Sequence, residues 1–199
     1  MEERLMIRQG LVHDAVHREP YMADILVEGG KIRKIAPNLD TEMIDQTKLL
    51  DAKGLQVYPG FVEAHCHLGL DGYGIGFEGA DYNEVTDSLT PELSAVDGIN
   101  PQDESIRLAM EGGVTCVAAG PGSSNVLGGT FVVYKTAGKR IDDMLVKKRA
   151  AMKCAFGENP KLCYKDKDNY SRMSTASKLR IILKRTQEYL ARQEAAGKD

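Results

Sequence analysis

The stretch PGFVEAHCHLGL, residues 59–70, places two histidines either side of one cysteine, at the end of an apolar run and ahead of a glycine-rich segment. Read as a strand, it sends alternate side chains to opposite faces, so His65 and His67 share one side and Cys66 takes the other. Two imidazoles on one face can converge on a single ion. Two core histidines that happen to be neighbours would have the same spacing, and H-x-H alone does not separate the two readings. Glu63 shares the face one step deeper, where a carboxylate is costly unless hydrogen-bonded or near a cation. Gly69 follows at what would be the carboxyl end of a parallel strand, where α/β folds build their sites.

Upstream, residues 4–58 read as short strands: RLMIRQGLVHDAV, ADILVEGGKIRKIAP and KLLDAKGLQVYP. Leu26 and Val27 run into Gly29-Gly30, and Ile32 and Ile35 follow, which is a hairpin signal. Downstream the pattern changes to strands alternating with helices. NPQDESIRLAMEGG reads as a helix with Pro101 in its first turn and Gly112-Gly113 as its stop. VTCVAAG, TFVVYKTAG and AAMKCAFG read as further strands, which predicts a parallel sheet buried on both faces. Residues 174–196 place Leu179, Ile182, Leu183, Thr186 and Leu190 on one face of an amphipathic helix. Its basic face, with Lys178, Arg180, Lys184 and Arg185, reads as solvated. The irregular stretch 71–100 carries seven acids, and a loop of that length reads as a lid, a binding loop or disorder.

Composition narrows the function. The chain has 199 residues, a net charge of -3, and no long Lys/Arg stripe, which argues against a nucleic-acid partner. No apolar run approaches the roughly 18 residues of a membrane span, and the N-terminus lacks a secretory pattern, so the expected compartment is the cytoplasm. Cys66, Cys116, Cys154 and Cys163 form no C-x-x-C pair and read as reduced thiols.

YPGFVEAHCHLG, preceded by ADILVEGGKIRKIAP and followed by EGGVTCVAAGPG, resembles the amidohydrolase superfamily, and within it the imidazolonepropionase-like branch. The resemblance implies an α/β fold: a small β-sandwich over 1–58, then the first half of a metal-bearing (β/α)8 barrel over 59–199. It implies that His65 and His67 are the first two ligands of a divalent metal, zinc first. It also implies a small-molecule substrate opened at a non-peptide C–N bond, in an amide or cyclic amide, by metal-activated water. Many such proteins bridge two metals with a carboxylated lysine or a glutamate. Lys153, between Met152 and Cys154, resembles the first and Glu158 is a candidate for the second. A lysine snorkelling from an edge and a loop glutamate in water remain open as the plainer readings.

The resemblance is incomplete. The family's later strands supply two further histidines and an aspartate, whereas this chain has four histidines, with His13 and His17 in the first domain and none after His67. Residues 60–199 also fall well short of the about 250 of a full barrel. The expectation is therefore an N-terminal half, inactive alone: a truncated gene product, a fragment, or a subunit completed by a second chain, with a homo-oligomer as the other partner reading. A non-catalytic assembly module working through an exposed barrel edge is the alternative.

Two glycine-rich stretches point elsewhere and do not hold. Gly74-x-Gly76-x-x-Gly79 has dinucleotide spacing but precedes an acidic segment with no apolar helical stripe. GPGSSNVLGG, residues 120–129, lacks the Gly-Lys-Ser/Thr ending of a P-loop. Its backbone donors could line a pocket, or it is a tight connection.

Overall fold

The computed structural model describes residues 3–42 and 47–197 and divides the chain into two compact units, Met1–Gly60 and Phe61–Asp199. The outermost residues of the two predicted domains, and positions 43–46, lie outside the described residues.

In the first unit, β1 (Arg4–Val12), β2 (Tyr21–Glu28), β3 (Lys31–Ala36), β4 (Lys48–Asp51) and β5 (Gln56–Val57) form one five-stranded sheet. β2 and β3 make the predicted hairpin, with Glu28 opposite Lys31 and both turn glycines at positive φ, 55° and 72°. That backbone suits a two-residue turn whose twist matches its strands, and it is strained for any residue with a Cβ. β4 and β5 both lie parallel to β1, so the described strands share a single ladder system rather than the two stacked sheets of the expected sandwich.

The second unit begins with β6 (Phe61–Cys66), which contains the opening motif. The long connection that follows includes the single turn α1 (Ala95–Gly98) and α2 (Glu104–Glu111), and it returns the chain to β7 (Val114–Ala119), parallel to β6. Asp103 caps α2 by accepting from the Ser105 backbone N–H at 2.8 Å, and Gly113 ends it at φ 88°. Pro101 lies in the turn before this cap, not in the first helical turn.

Beyond β7 the parallel expectation fails. β8 (Leu127–Lys135) runs antiparallel to β7, and after the single turn α3 (Ile141–Met144), β9 (Leu145–Cys154) runs antiparallel to β8. The cause is loop length: residues 120–126 and 136–144 are shorter than the dozen or so that a parallel crossover needs. β9 takes up VKKR, and β8 absorbs the end of the second glycine-rich stretch. The sheet order is β6-β7-β8-β9. As an edge strand, β6 is not buried on both faces: Val62 is 68% exposed and Phe61 55%.

The core of this unit gathers Leu70, Ile99, Ile106, Val117, Val132, Tyr134 and Met144. The stretch 71–100 is held against it and is not a free lid. Leu89 bridges to Leu127 and Ser94 to Thr130, and Ser88 and Thr90 are buried. Last come α4 (Glu158–Cys163) and α5 (Arg172–Ala196), the predicted amphipathic helix extended by two residues at its start. Among the described residues, no helix is long and apolar enough to cross a membrane.

Candidate metal-binding site

His65 lies near the end of β6 and His67 just past it. Their rings are 5.9 Å apart between centroids and nearly perpendicular. Cys66 points the other way, packs on the core and lies 3.6 Å from the Ala118 carbonyl, and burial pushes its thiol up from the usual range. The alternation read from the sequence therefore separates the histidine pair from a core-packed Cys66.

His67 Nδ1 lies 2.7 Å from the carbonyl oxygen of Gly120. A carbonyl only accepts, so Nδ1 carries the proton, and in the neutral ring Nε2 keeps a lone pair. The second glycine-rich loop thus meets His67 through a carbonyl acceptor. The ring of Tyr82 stacks on His67 at 5.3 Å and 24°. His65 meets the edge of Phe131 at 5.2 Å and 90°. Gly120 makes room for this, since a Cβ there would come within 2.2 Å of the Phe131 ring.

Lys153 comes from the far edge strand. Its Nζ is 3.4 Å from His65 Nε2 and 5.9 Å from the Phe131 ring centroid. Burial holds the Lys153 amine below the ordinary lysine range, which favours its uncharged form. Glu158 is not brought to this cluster: it lies in the first turn of α4 and pairs with Lys161 at 3.2 Å. Glu63 accepts from the His65 backbone N–H at 2.9 Å, which answers the cost of a carboxylate on that face.

Tyr82, Phe131 and the Gly120 carbonyl were not legible as site residues, because each reaches the histidines from a distant part of the chain. Tyr82 also lines a cavity of about 260 Å³ with Asp81, Glu84, Asp97 and Asn125.

The donor set fits a divalent ion in part. Neutral imidazoles are good zinc ligands, and the Gly120 carbonyl is the outer partner that metal-binding histidines usually have. Among the described residues, no third His, Cys, Asp or Glu joins the pair.

The histidine pair thus stands at the carboxyl end of a strand paired in parallel. No family model matches the chain. An amidohydrolase from Hapsidospora irregularis, tasK, is 30% identical over 189 residues, 87% of this chain and 19% of its own length. A dihydroorotase from Aquifex aeolicus is 42% identical over 65 residues, 33% of this chain and 15% of its own. A solved amidohydrolase structure from Thermotoga maritima superposes with a TM-score of 0.92 at 36% identity, over 98% of this chain and 50% of that one. These homologues are amidohydrolase and dihydroorotase proteins, and they support the amidohydrolase superfamily. The chain spans half the length of the Thermotoga protein, and less of the two relatives.

Proposed function

We propose that His65 and His67 form the first ligand arm of a metal-dependent hydrolase acting on non-peptide C–N bonds, in an amide or cyclic amide of a small molecule. The observation that carries the reading is the trio of His65, His67 and Lys153, assembled from the two edge strands of the sheet with Lys153 Nζ 3.4 Å from His65 Nε2. The imidazoles of His65 and His67 would hold a divalent ion, zinc first, which would supply activated water near neutral pH and polarise the scissile carbonyl. The Gly120 carbonyl keeps the proton of His67 on Nδ1 and leaves its Nε2 free to serve as the ligand atom. Burial lowers the Lys153 amine's affinity for its proton, and its uncharged fraction could attack CO2: a C–N bond would form, the amine proton would pass to water, and the resulting carbamate would offer oxygen ligands. Glu158, the other candidate bridge, would first have to leave Lys161. The remaining ligands would come from outside residues 1–199. The imidazolonepropionase-like branch rests on the opening string alone, and the cytoplasm remains the expected compartment.

The exposed edges of the sheet favour one second reading, an assembly module without catalysis. Zinc titration with a competing chromophore separates the two. The wild-type chain is expected to bind one ion weakly, H65A and H67A to lose it, K153M to bind less tightly and E158Q to match wild type. Mixing the chain with the unmatched half of the Thermotoga maritima protein should raise both zinc retention and turnover of a cyclic amide. Equal zinc binding by wild type and a H65A/H67A double variant would sink the metal reading and leave the assembly module.

A further inference from the structure

Two bonds of an imidazole's position are settled by its strand and by the Nδ1 hydrogen bond, but the tilt of the ring about that bond is not. The last torsion of histidine is broad, and one carbonyl acceptor allows a range of ring planes. A ligand whose Nε2 swings through that range meets a metal poorly, so something must hold the plane. In His65 the edge contact to Phe131 is available. In His67 the group in place is Tyr82.

We propose that Tyr82 is a positioning residue for His67, its ring face setting the plane of the imidazole so that Nε2 points in one direction. As far as a metal is concerned, this rests on the reading of His67 as a ligand; the effect on ring plane does not. Four observations carry it. The rings are stacked, 5.3 Å apart and 24° from parallel. The backbone of Tyr82 is bracketed on both sides: Asp81 N–H donates to the Leu70 carbonyl at 2.8 Å, and Gly122 N–H donates to the Tyr82 carbonyl at 2.6 Å. Its neighbour Asn83 is anchored through Oδ1, which accepts from the Ser124 hydroxyl at 2.9 Å. Gly122 is the residue that permits this approach, because a Cβ there would come within 2.3 Å of Asn83 Oδ1 and 2.8 Å of the Tyr82 ring. The loop carrying Gly120 therefore grips His67 twice, by its own carbonyl at Nδ1 and by clamping Tyr82 against the ring face. Among the described residues the Tyr82 hydroxyl makes no hydrogen bond to His67 or to the loop carrying Gly120, and it is the ring face that meets the imidazole.

The test compares Y82F, Y82L and H67N in the full 199-residue chain, by proton NMR of the histidine rings without metal and by zinc competition titration. The ring current of Tyr82 should move the His67 ring protons, assigned by their loss in H67N, upfield. Y82F is expected to keep that shift and to bind zinc like wild type. Y82L is expected to lose the shift and to bind zinc about tenfold more weakly, the low end for groups that orient metal ligands. Unmoved His67 signals in Y82L overturn the proposal, as does Y82F behaving like Y82L, or wild-type zinc affinity in Y82L where H67N itself binds zinc more weakly. Should Y82L fail to fold, N83A retains the ring and removes only its side-chain anchor; it is expected to reduce the upfield shift, and an unchanged shift overturns the proposal. If H67N binds zinc as wild type does, the ligand reading of His67 falls, while the ring shifts still decide whether Tyr82 sets its plane.

Discussion

Tyr164 shows how one side chain ties the long connection to the end of the chain. It is fully buried, and its hydroxyl lies 2.7 Å from the Glu84 carbonyl and 2.8 Å from that of Asp87, its single proton shared between them. Burial pushes its pKa up to about 12, so the folded chain keeps a proton that an unfolded tyrosine releases near 10. The stability tied to this group is complete below pH 10 and is lost as pH rises towards 12. Y164F should cost about 1 kcal/mol at neutral pH, because Asn125 Nδ2 still donates to the Asp87 carbonyl. It should also flatten the loss of stability between pH 10 and 12, which denaturant melts at stepped pH would reveal. The cysteines divide in the same physical terms. Cys163 and Cys154 are exposed, Cys66 is half-buried and Cys116 buried, and burial raises the thiols of Cys154 and Cys66. Limiting iodoacetamide should therefore label Cys163 first, then Cys154, then Cys66, with Cys116 last, as read by peptide mass spectrometry.

Among the elements, α5 carries a side-chain cap at its N-terminus. Ser171 accepts from the Ser174 backbone N–H, and the Ser174 hydroxyl answers the Ser171 N–H, a reciprocal cap. Thr175 is buried just inside it, yet Leu183 and Leu190 on the predicted apolar face stay 52% and 54% exposed. S171A should cost about 1 kcal/mol, and L190A should stay within about 0.5 kcal/mol of wild type in denaturant melts. A large loss in L190A would mean that the stripe is already covered. The periodicity of this helix was readable because helical spacing is local; whether its stripe finds a partner is not a local property. Loop length, also local, would have revealed the antiparallel return of β8 had it been weighed above the alternation of strands and helices.

At the scale of the molecule, both outer strands of the second sheet pair on one side only among the described residues. They are not equal. β9 carries the exposed run Lys147-Lys148-Arg149, which blunts an edge by charge, whereas β6 presents Val62 and Phe61. The chain should therefore self-associate as its concentration rises, and V62K should shift the sedimentation profile towards monomer. A monomer at every concentration would remove the edge as an interaction surface and weaken the assembly-module reading.

The sequence by itself determined the Gly29-Gly30 hairpin, the separation of His65 and His67 from Cys66, and the presence of α2 and α5, because each depends on residues close in the chain. It also brought His65, His67 and Lys153 forward as candidates. Only the tertiary structure decided that Lys153 and not Glu158 lies beside His65, that the sheet turns antiparallel after β7, and that Tyr82, Phe131 and the Gly120 carbonyl surround the histidines. These outcomes depend on strand order and on close approach at Gly120 and Gly122, which join positions tens of residues apart and leave no periodic trace in the sequence.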